Sequence, residues 1–198
     1  ILQPTQIPLT PRWDRIGDGI PIKEQVCFII AGDIVFNMAH DIPRPERSTG
    51  KLVKGSDMDL VVVLDNRLPK ELMKRLDDEI YKEKYNYLIS PYLREEIDYI
   101  VKYVDRVKEQ VEFKTFKHMV ACKILQEGTL LFGSEEIFHR LKTMLKDHGV
   151  LDKLAEMEEN ARLFRKKAQE YLLKEDPAKI KAESLNQFYP TEESEEFE

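Results

Sequence analysis

The chain is poor in the residues on which several common kinds of protein site depend. It has two cysteines, Cys27 and Cys122, and their separation fits neither a zinc site nor a redox pair. Its four histidines lack the paired spacing of metal ligands, and no glycine pattern of a phosphate loop or a dinucleotide-binding turn occurs. These absences argue against a disulfide scaffold, a zinc centre and a P-loop enzyme. They are typical of a cytoplasmic protein whose thiols stay reduced.

Long apolar runs and an excess of basic residues are also missing. No segment approaches the roughly 18 apolar residues that span a membrane, and no signal peptide is visible, so we expect no membrane partner. The formal charge of −6 is concentrated in the last eight residues, which hold five glutamates and are predicted to be disordered. The rest of the chain is close to neutral, unlike the strongly basic face of a duplex-DNA binder.

Among the residues that are present, two aspartates at the start of an apolar strand are the most informative. Asp57 and Asp59 precede the run 60–64, which is typical of a strand buried on both faces. Side chains at positions i and i+2 of a strand lie on the same side, with Cα atoms about 7 Å apart. Two carboxylates held in this way repel each other unless a cation lies between them, and Mg²⁺ or Mn²⁺ prefers such oxygen ligands. The spacing predicts a divalent-metal site; the alternative is a solvated turn before a core strand.

Patterns along the chain predict an α/β (α+β) fold, with a mixed sheet as its core and a helical region towards the C-terminus. Four segments are expected, in this order: an irregular arm at 1–22, the core at 23–115, the helical region at 116–185 and the acidic tail at 186–198. A strand or the buried end of a helix is predicted at 26–31, and strands are predicted at 57–64 and, from alternating apolar residues, at 110–116. Between the first two of these segments, residues 41–55 are predicted to form a long, mobile, basic loop.

Helical spacing of apolar residues predicts five helices. They are expected at about 69–84, 90–108, 116–127, 134–146 and 151–175. In the second, Ser90 is the predicted N-cap and Pro91 the first helical residue, so Asp98 and Asp105 are expected on the polar face, away from the core. The apolar stripes of the C-terminal helices are interpreted as core and as the surface of a homo-oligomer.

The run Gly55-Ser-Asp-Met-Asp-Leu resembles the core motif of the nucleotidyltransferase superfamily, whose members include DNA polymerase beta and poly(A) polymerase. Family members carry a Gly-Ser or Gly-Gly after an apolar segment, then an Asp-x-Asp strand, a helix, and a third acidic residue on a neighbouring strand. In this chain Gly32 and Asp33 occupy the first position, and Asp57 and Asp59 the second. The resemblance covers roughly residues 26–133. In this part the chain is similar to small bacterial and archaeal members of the superfamily.

The resemblance implies a catalytic and metal-binding site made of Asp57, Asp59 and a third carboxylate. Glu112, on the strand predicted at 110–116, is our choice for the third position. Asp98 is the alternative, and the helix predicted at 90–108 argues against it. Nucleotide-binding positions are implied at Gly32, Asp33, Gly55 and Ser56.

Asp33 departs from the Ser or Gly that the family carries after its glycine, and an acid there repels a triphosphate. The basic loop, with Arg44, Arg47, Lys51 and Lys54, offers compensating charge, and an ordinary solvated loop is the alternative. Lys117 and Lys123 of the following helix are further candidates for contact with phosphates.

The implied reaction is transfer of a nucleoside monophosphate from a triphosphate such as ATP to a hydroxyl group, with release of pyrophosphate. Two Mg²⁺ or Mn²⁺ ions are the implied cofactors. The acceptor could be a small molecule, a protein hydroxyl or an RNA end.

Two other hypotheses stay open. One is a catalytically inactive relative that serves as a binding or regulatory module. The other is a metal-dependent nuclease that uses Glu112-Phe-Lys114 with Asp57 or Asp59.

Overall fold

A computed structural model describes residues 15–16, 20–38, 42–45, 52–53 and 58–176. In chain order its strands are β1 (Arg15–Ile16), β2 (Ile20–Pro21), β3 (Val26–Ala31), β4 (Arg44–Pro45), β5 (Leu52–Val53), β6 (Met58–Leu64), β7 (Ile97–Tyr103) and β8 (Thr129–Gly133). Its α-helices are α1 (Lys70–Ile89), α2 (Val104–Gln110), α3 (Phe116–Glu127), α4 (Glu135–Asp147) and α5 (Val150–Lys174). The predicted acidic tail and most of the predicted N-terminal arm lie outside the described residues.

Four strands form the main sheet, in the spatial order β7-β6-β3-β8. β3 is antiparallel to both of its neighbours, whereas β6 and β7 are parallel to each other. Parallel neighbours need a long crossover connection, and α1 provides it between β6 and β7. β1 with β2, and β4 with β5, form two separate antiparallel ribbons. The prediction of a mixed α/β architecture is confirmed at this level.

Alternating side chains of the strands form two apolar cores, one on each face of the sheet. On one face Val62 packs with Leu76 of α1, and we call this cluster the α1 core. On the other face Val61 packs with Leu125 of α3 and Leu141 of α4, and we call this cluster the helical core. The four residues 61–64 of β6 are all buried, which confirms the prediction of a strand covered on both faces.

Most of the predicted helices are confirmed, and local hydrogen bonds explain where two of them begin. The hydroxyl of Thr115 accepts from the His118 backbone N–H at 3.2 Å before α3, and Ser134 Oγ accepts from the Ile137 N–H at 3.3 Å before α4. Gly128 ends α3 at a point where the chain passes close to β3. A Cβ at this position would lie 2.5 Å from Ile29 Cγ2, so a residue with a side chain does not fit there without a shift. The predicted first helix extends to Ile89 as α1.

The prediction of a single helix at 90–108 is wrong. Residues 97–103 form β7, and α2 follows with no intervening loop. Ser90 is the residue after α1, and its backbone N–H donates to the Asn86 carbonyl at 3.1 Å. Asp98 therefore lies on a strand of the main sheet. Asp105 does lie on a helix, in α2, where its exposed carboxylate pairs with Lys108.

The strand predicted at 110–116 is also wrong, and β8 was not predicted. Val111 and Glu112 form a turn after α2, and Phe113 has a φ of 59°, which is left-handed rather than extended backbone. β8 follows α3 directly after Gly128. It joins the main sheet by pairing with β3, for instance Leu130 with Ile29.

Helix α5 packs against the other elements mainly near its start. Val150 and Leu154 are buried, whereas Phe164 and Leu173 further along are exposed. The homo-oligomer expected through the C-terminal helices would use this surface, and it stays a prediction. Neither α5 nor any other helix in the described part of the chain is long and apolar enough to cross a membrane.

Candidate active site at one edge of the sheet

Three strands of the main sheet place polar residues at the same edge, which we call the site edge. β6 and β7 both begin at this edge because they are parallel, and β3 ends there because it is antiparallel to β6. Asp59 is paired with Ala31 of β3 on one side and with Asp98 of β7 on the other. Gly32 and Asp33 follow Ala31 directly. The fold thus brings together residues from three distant parts of the sequence.

Asp59 and Asp98 lie side by side on the same face of the sheet. Residues in register on neighbouring strands have Cα atoms about 4.8 Å apart, and their side chains point to the same side. That side is the face of the helical core, since Val61, two residues after Asp59, packs there. Both aspartates are partly exposed. Two carboxylates this close repel each other, and a cation that contacts both relieves the repulsion.

The ammonium group of Lys84, near the end of α1, forms an ion pair with Asp98. Lys84 Nζ lies 3.1 Å from Asp98 Oδ1 and 6.0 Å from the centre of the Tyr99 ring. The side chains of the two charged residues are 28% and 34% exposed, so water screens their attraction. Such a pair contributes about 0–1 kcal/mol to stability. Lys84 therefore neutralises one carboxylate of the site edge without holding it strongly.

The turn after β3 is built on Gly32. Its φ of 83° lies in a region that glycine adopts freely and other residues avoid. A short 3₁₀ turn follows at Asp33–Phe36, and the Val35 N–H donates to the Gly32 carbonyl at 3.2 Å. The glycine turn that the resemblance implies is therefore present at the site edge. It also brings the carboxylate of Asp33 to that edge.

Several predicted site residues lie outside the described part of the chain: Gly55, Ser56, Asp57, Arg47, Lys51 and Lys54. Asp57 directly precedes Met58, the first residue of β6. The loop that holds the basic residues is described only at β4 and β5, which pair with each other. The predicted roles of these residues stay predictions.

Glu112, the predicted third carboxylate, is not brought to the site edge. It lies on an exposed turn after α2, where a hydrogen bond from Lys114, with Nζ 2.7 Å from Glu112 Oε2, holds the pKa of Glu112 below its usual range. Helix α3, about 18 Å long for its 12 residues, separates this turn from Thr129, which pairs with Ile30 near the site edge. The strand that would have carried Glu112 does not form. The alternative, Asp98, is the acidic residue beside Asp59.

A cleft of about 580 Å³ lies beside β7, on the face that carries Asp59 and Asp98. Residues of β7, α1, α2 and α3 line it. Its charged side chains are four basic and two acidic ones: Lys84, Lys102, Arg106, Lys117, Asp77 and Asp98. Lys117, a predicted phosphate contact, is thus on the cleft. Lys123, the other one, instead pairs with Glu127.

Sequence reasoning missed the strand position of Asp98 and the role of its neighbours Lys84 and Lys102. One signal could have found the strand. Aromatic or apolar residues occupy one set of alternate positions, Tyr99, Val101 and Tyr103, and the polar residues Asp98 and Lys102 occupy the other set, with Ile100 as the exception.

The described residues hold two neighbouring carboxylates but no complete set of metal ligands. Among these residues, no group of three or more His, Cys, Asp or Glu side chains is close enough to hold a metal ion. Asp59 and Asp98 provide two carboxylates on neighbouring strands. Comparisons with protein-family models, curated proteins and solved structures find no significant match for the chain. What the site does must be argued from its own residues.

Proposed function

We propose that the chain is a metal-dependent nucleotidyltransferase, which transfers a nucleoside monophosphate from a nucleoside triphosphate to a hydroxyl group. The observation that carries the proposal is the pairing of Asp59 with Asp98 at the start of two parallel strands, beside the turn at Gly32. The elements follow one another along the chain in the order that the resemblance implies. This order is a glycine turn, the strand that follows Asp57 and contains Asp59, a helix, and a second strand with an acidic residue. In this proposal Asp98 replaces Glu112 as the third carboxylate.

Each carboxylate is assigned a role in this proposal. Asp57 and Asp59 would hold Mg²⁺ or Mn²⁺, which prefer carboxylate oxygens and supply positive charge to the triphosphate and the leaving pyrophosphate. Asp98 takes the proton of the attacking hydroxyl as a general base. The hydroxyl oxygen forms a bond to the α-phosphorus while the bond from that phosphorus to the bridging oxygen breaks. Pyrophosphate leaves with the bridging oxygen, and most of the rate enhancement comes from positioning and charge neutralisation.

A nucleotide-binding or regulatory module without catalysis is the second candidate, and Asp33 is the observation that favours it. Its carboxylate follows Gly32, where the resemblance implies that phosphates lie. A negative charge there weakens triphosphate binding unless a cation compensates for it. The nuclease hypothesis is not retained, because Glu112 and Lys114 pair with each other on an exposed turn and not on a strand.

The test measures nucleotide binding and turnover separately on the full chain. Each nucleoside triphosphate, labelled at the α-phosphate, is incubated with the protein and Mg²⁺, and pyrophosphate release is followed with water, RNA or small hydroxyl compounds as acceptors. Asp57→Asn and Asp59→Asn are expected to lose Mg²⁺-dependent triphosphate binding. Asp98→Asn is expected to keep most of the binding and to lower turnover by about 10²- to 10⁴-fold, because it removes the base.

Two exposed carboxylates that pair with lysines provide matched controls. Asp105→Asn and Glu112→Gln make the same chemical change on α2 and on the turn that follows it. Both variants are expected to behave as wild type. Loss of turnover in Glu112→Gln together with full turnover in Asp98→Asn would refute the assignment of Asp98. Binding of triphosphate without release of pyrophosphate for any acceptor would favour the binding module.

A further inference from the structure

Lys102 is a buried lysine at the bottom of the cleft beside β7. Its side chain is 5% exposed, and its Nζ donates to Gln110 Oε1 at 2.7 Å. Within the described residues, no carboxylate lies within ion-pair distance of this ammonium group, so its hydrogen-bond partner is a neutral amide. A buried charge without a counter-charge is costly, and an anion beside it lowers that cost.

A second cation lies close to Lys102 in the cleft. Arg106, on α2, also lines the cleft. The pKa of Lys102 is lowered to about 8, mainly because the side chain is buried. The positive charge of Arg106 lowers this pKa further, and the charge of Cys122 opposes the shift. Arg106 pairs with Glu109, but both side chains are more than half exposed, so this pair exchanges readily with water or with a ligand. An arginine fork next to a buried ammonium suits a phosphate group, which accepts several hydrogen bonds at once.

The geometry of β7 connects this cationic position with the site edge. Asp98, Ile100 and Lys102 alternate along the strand and therefore lie on the same face, with about 13 Å between the Cα atoms of the first and the last. Ile100, between them, is 48% exposed and offers an apolar surface along the cleft. A molecule that lies along β7 can thus present one end to Asp98 and the other to Lys102.

We propose that the cleft binds the molecule that accepts the nucleotide, and that this acceptor is a hydroxyl compound with a phosphate group, of the size of a nucleotide or a sugar phosphate. Lys102 and Arg106 hold the phosphate, and the reacting hydroxyl lies at Asp98. The assignment of the acceptor rests on the proposed function, whereas phosphate binding at Lys102 stands without it.

Phosphate binding is tested first, on the full chain without nucleotide or metal. Inorganic phosphate is titrated calorimetrically into wild type, Lys102→Met, Arg106→Ala and the control Lys108→Met, which alters an exposed lysine of α2 outside the cleft. Lys102→Met and Arg106→Ala are expected to weaken binding at least tenfold, and Lys108→Met to leave it unchanged. Arg106 is exposed, so its variant folds even if Lys102→Met does not. Equal affinity of wild type and Arg106→Ala, or of wild type and a folded Lys102→Met, overturns the proposal.

A competition experiment then separates the acceptor from the nucleotide. Phosphate is titrated into wild type saturated with ATP and Mg²⁺. Unchanged phosphate affinity is expected, because the acceptor position and the triphosphate position are distinct. Complete loss of phosphate binding would mean that the cleft takes the triphosphate itself, and the acceptor assignment would fail while the proposed function would stand. If ATP and Mg²⁺ do not bind at all, the proposed function and the acceptor assignment fail, and phosphate binding at Lys102 is retained.

Discussion

The two faces of β7 differ in what covers them and in what they can do. Tyr99 and Tyr103 point to the face of the α1 core, and their hydroxyls donate to backbone carbonyls of Asp77 and Leu68. Asp98 and Lys102 point to the other face, towards the cleft. One strand therefore has a face packed on α1, which we call the closed face, and a face that carries charged groups beside the cleft, which we call the open face. The closed face stabilises the fold, and the open face offers charged groups to the proposed site.

The open face exists because β7 is the outer strand of the sheet. On the same face, Val61 and Val63 of the neighbouring strand are buried under the helices of the helical core. Those helices do not cover β7 fully, and Ile100 remains half exposed. Asp98 therefore stays partly exposed on β7, whereas Lys102, further along the same face, is almost fully buried and carries the cost of that burial. On this view, substitutions on the closed face should change stability, and substitutions on the open face should change binding and its pH dependence.

The largest effect on stability is expected for Leu76→Ala in the α1 core. Leu76 is fully buried, and its removal leaves a cavity that costs about 2–5 kcal/mol of the free energy of unfolding. Urea unfolding measures this change, and Lys74→Ala on the exposed side of the same helix is the matched control, expected within about 0.5 kcal/mol of wild type. The affinity of the folded protein for phosphate and triphosphate should not change. A large loss of affinity in folded Leu76→Ala would contradict the separation of the two faces.

The second effect is a pH dependence that Lys102 confers on stability. The pKa of Lys102 is about 8 in the folded chain and near the ordinary lysine value of 10.5 in the unfolded chain. Between these pH values the unfolded state holds a proton that the native state has lost, so this residue makes stability rise with pH, by about 3 kcal/mol in total. Below pH 8 both states are protonated and the contribution is constant.

Comparison of wild type with Lys102→Met tests this contribution. Burial raises the pKa values of Cys27 and Cys122, which lowers stability at high pH; Cys27 contributes equally to both proteins, whereas the variant also loses the Lys102 charge that lowers the pKa of Cys122, an effect that reduces its stability further at high pH. In phosphate-free buffer, the variant is expected to be the more stable protein at pH 7, and its advantage should shrink as the pH rises from 8 to 10.5. A difference that does not vary with pH would show that water solvates the Lys102 ammonium group.

The contrast between the faces also explains which parts of the fold could be predicted from sequence. β3 and β6 are continuous apolar runs, and the helices other than α2 keep a helical period over their full length, so local sequence patterns are sufficient to place them. β7 passes directly into α2, so Ile97 and Ile100 of the strand and Val104 and Val107 of the helix fall on a single apparent helical arc. Because of this merged pattern, the sequence predicts one helix in place of the strand, and it places Asp98 on the polar face of that helix.

The other errors come from contacts that are distant in sequence. Val111 and Phe113 alternate as in a strand, but Val111 is buried as the residue that ends α2, and the backbone of Phe113 turns left-handed. The short β8 becomes a strand because β3 pairs with it, and no local pattern encodes that pairing. Asp59 could be placed from the sequence because it lies on a clear strand. Its partnership with Asp98 could not, because it depends on the register of two strands joined by α1.

The smallest effect is expected where the two faces are linked, at Lys84, which extends from α1 to Asp98 at the edge of β7. Lys84→Met removes a partly exposed ion pair and should change the free energy of unfolding by less than about 1 kcal/mol, with the difference vanishing at high salt. Tyr103→Phe, on the closed face, removes a hydrogen bond of 3.1 Å to the Leu68 carbonyl and should cost about 1 kcal/mol at any salt concentration. Urea unfolding of both variants with and without salt separates the two cases. Because Lys84 places a positive charge at Asp98, beside Asp59, it repels a cation held there, so under the proposed function Lys84→Met should also bind Mg²⁺ more tightly than wild type, and equal or weaker binding would contradict this expectation.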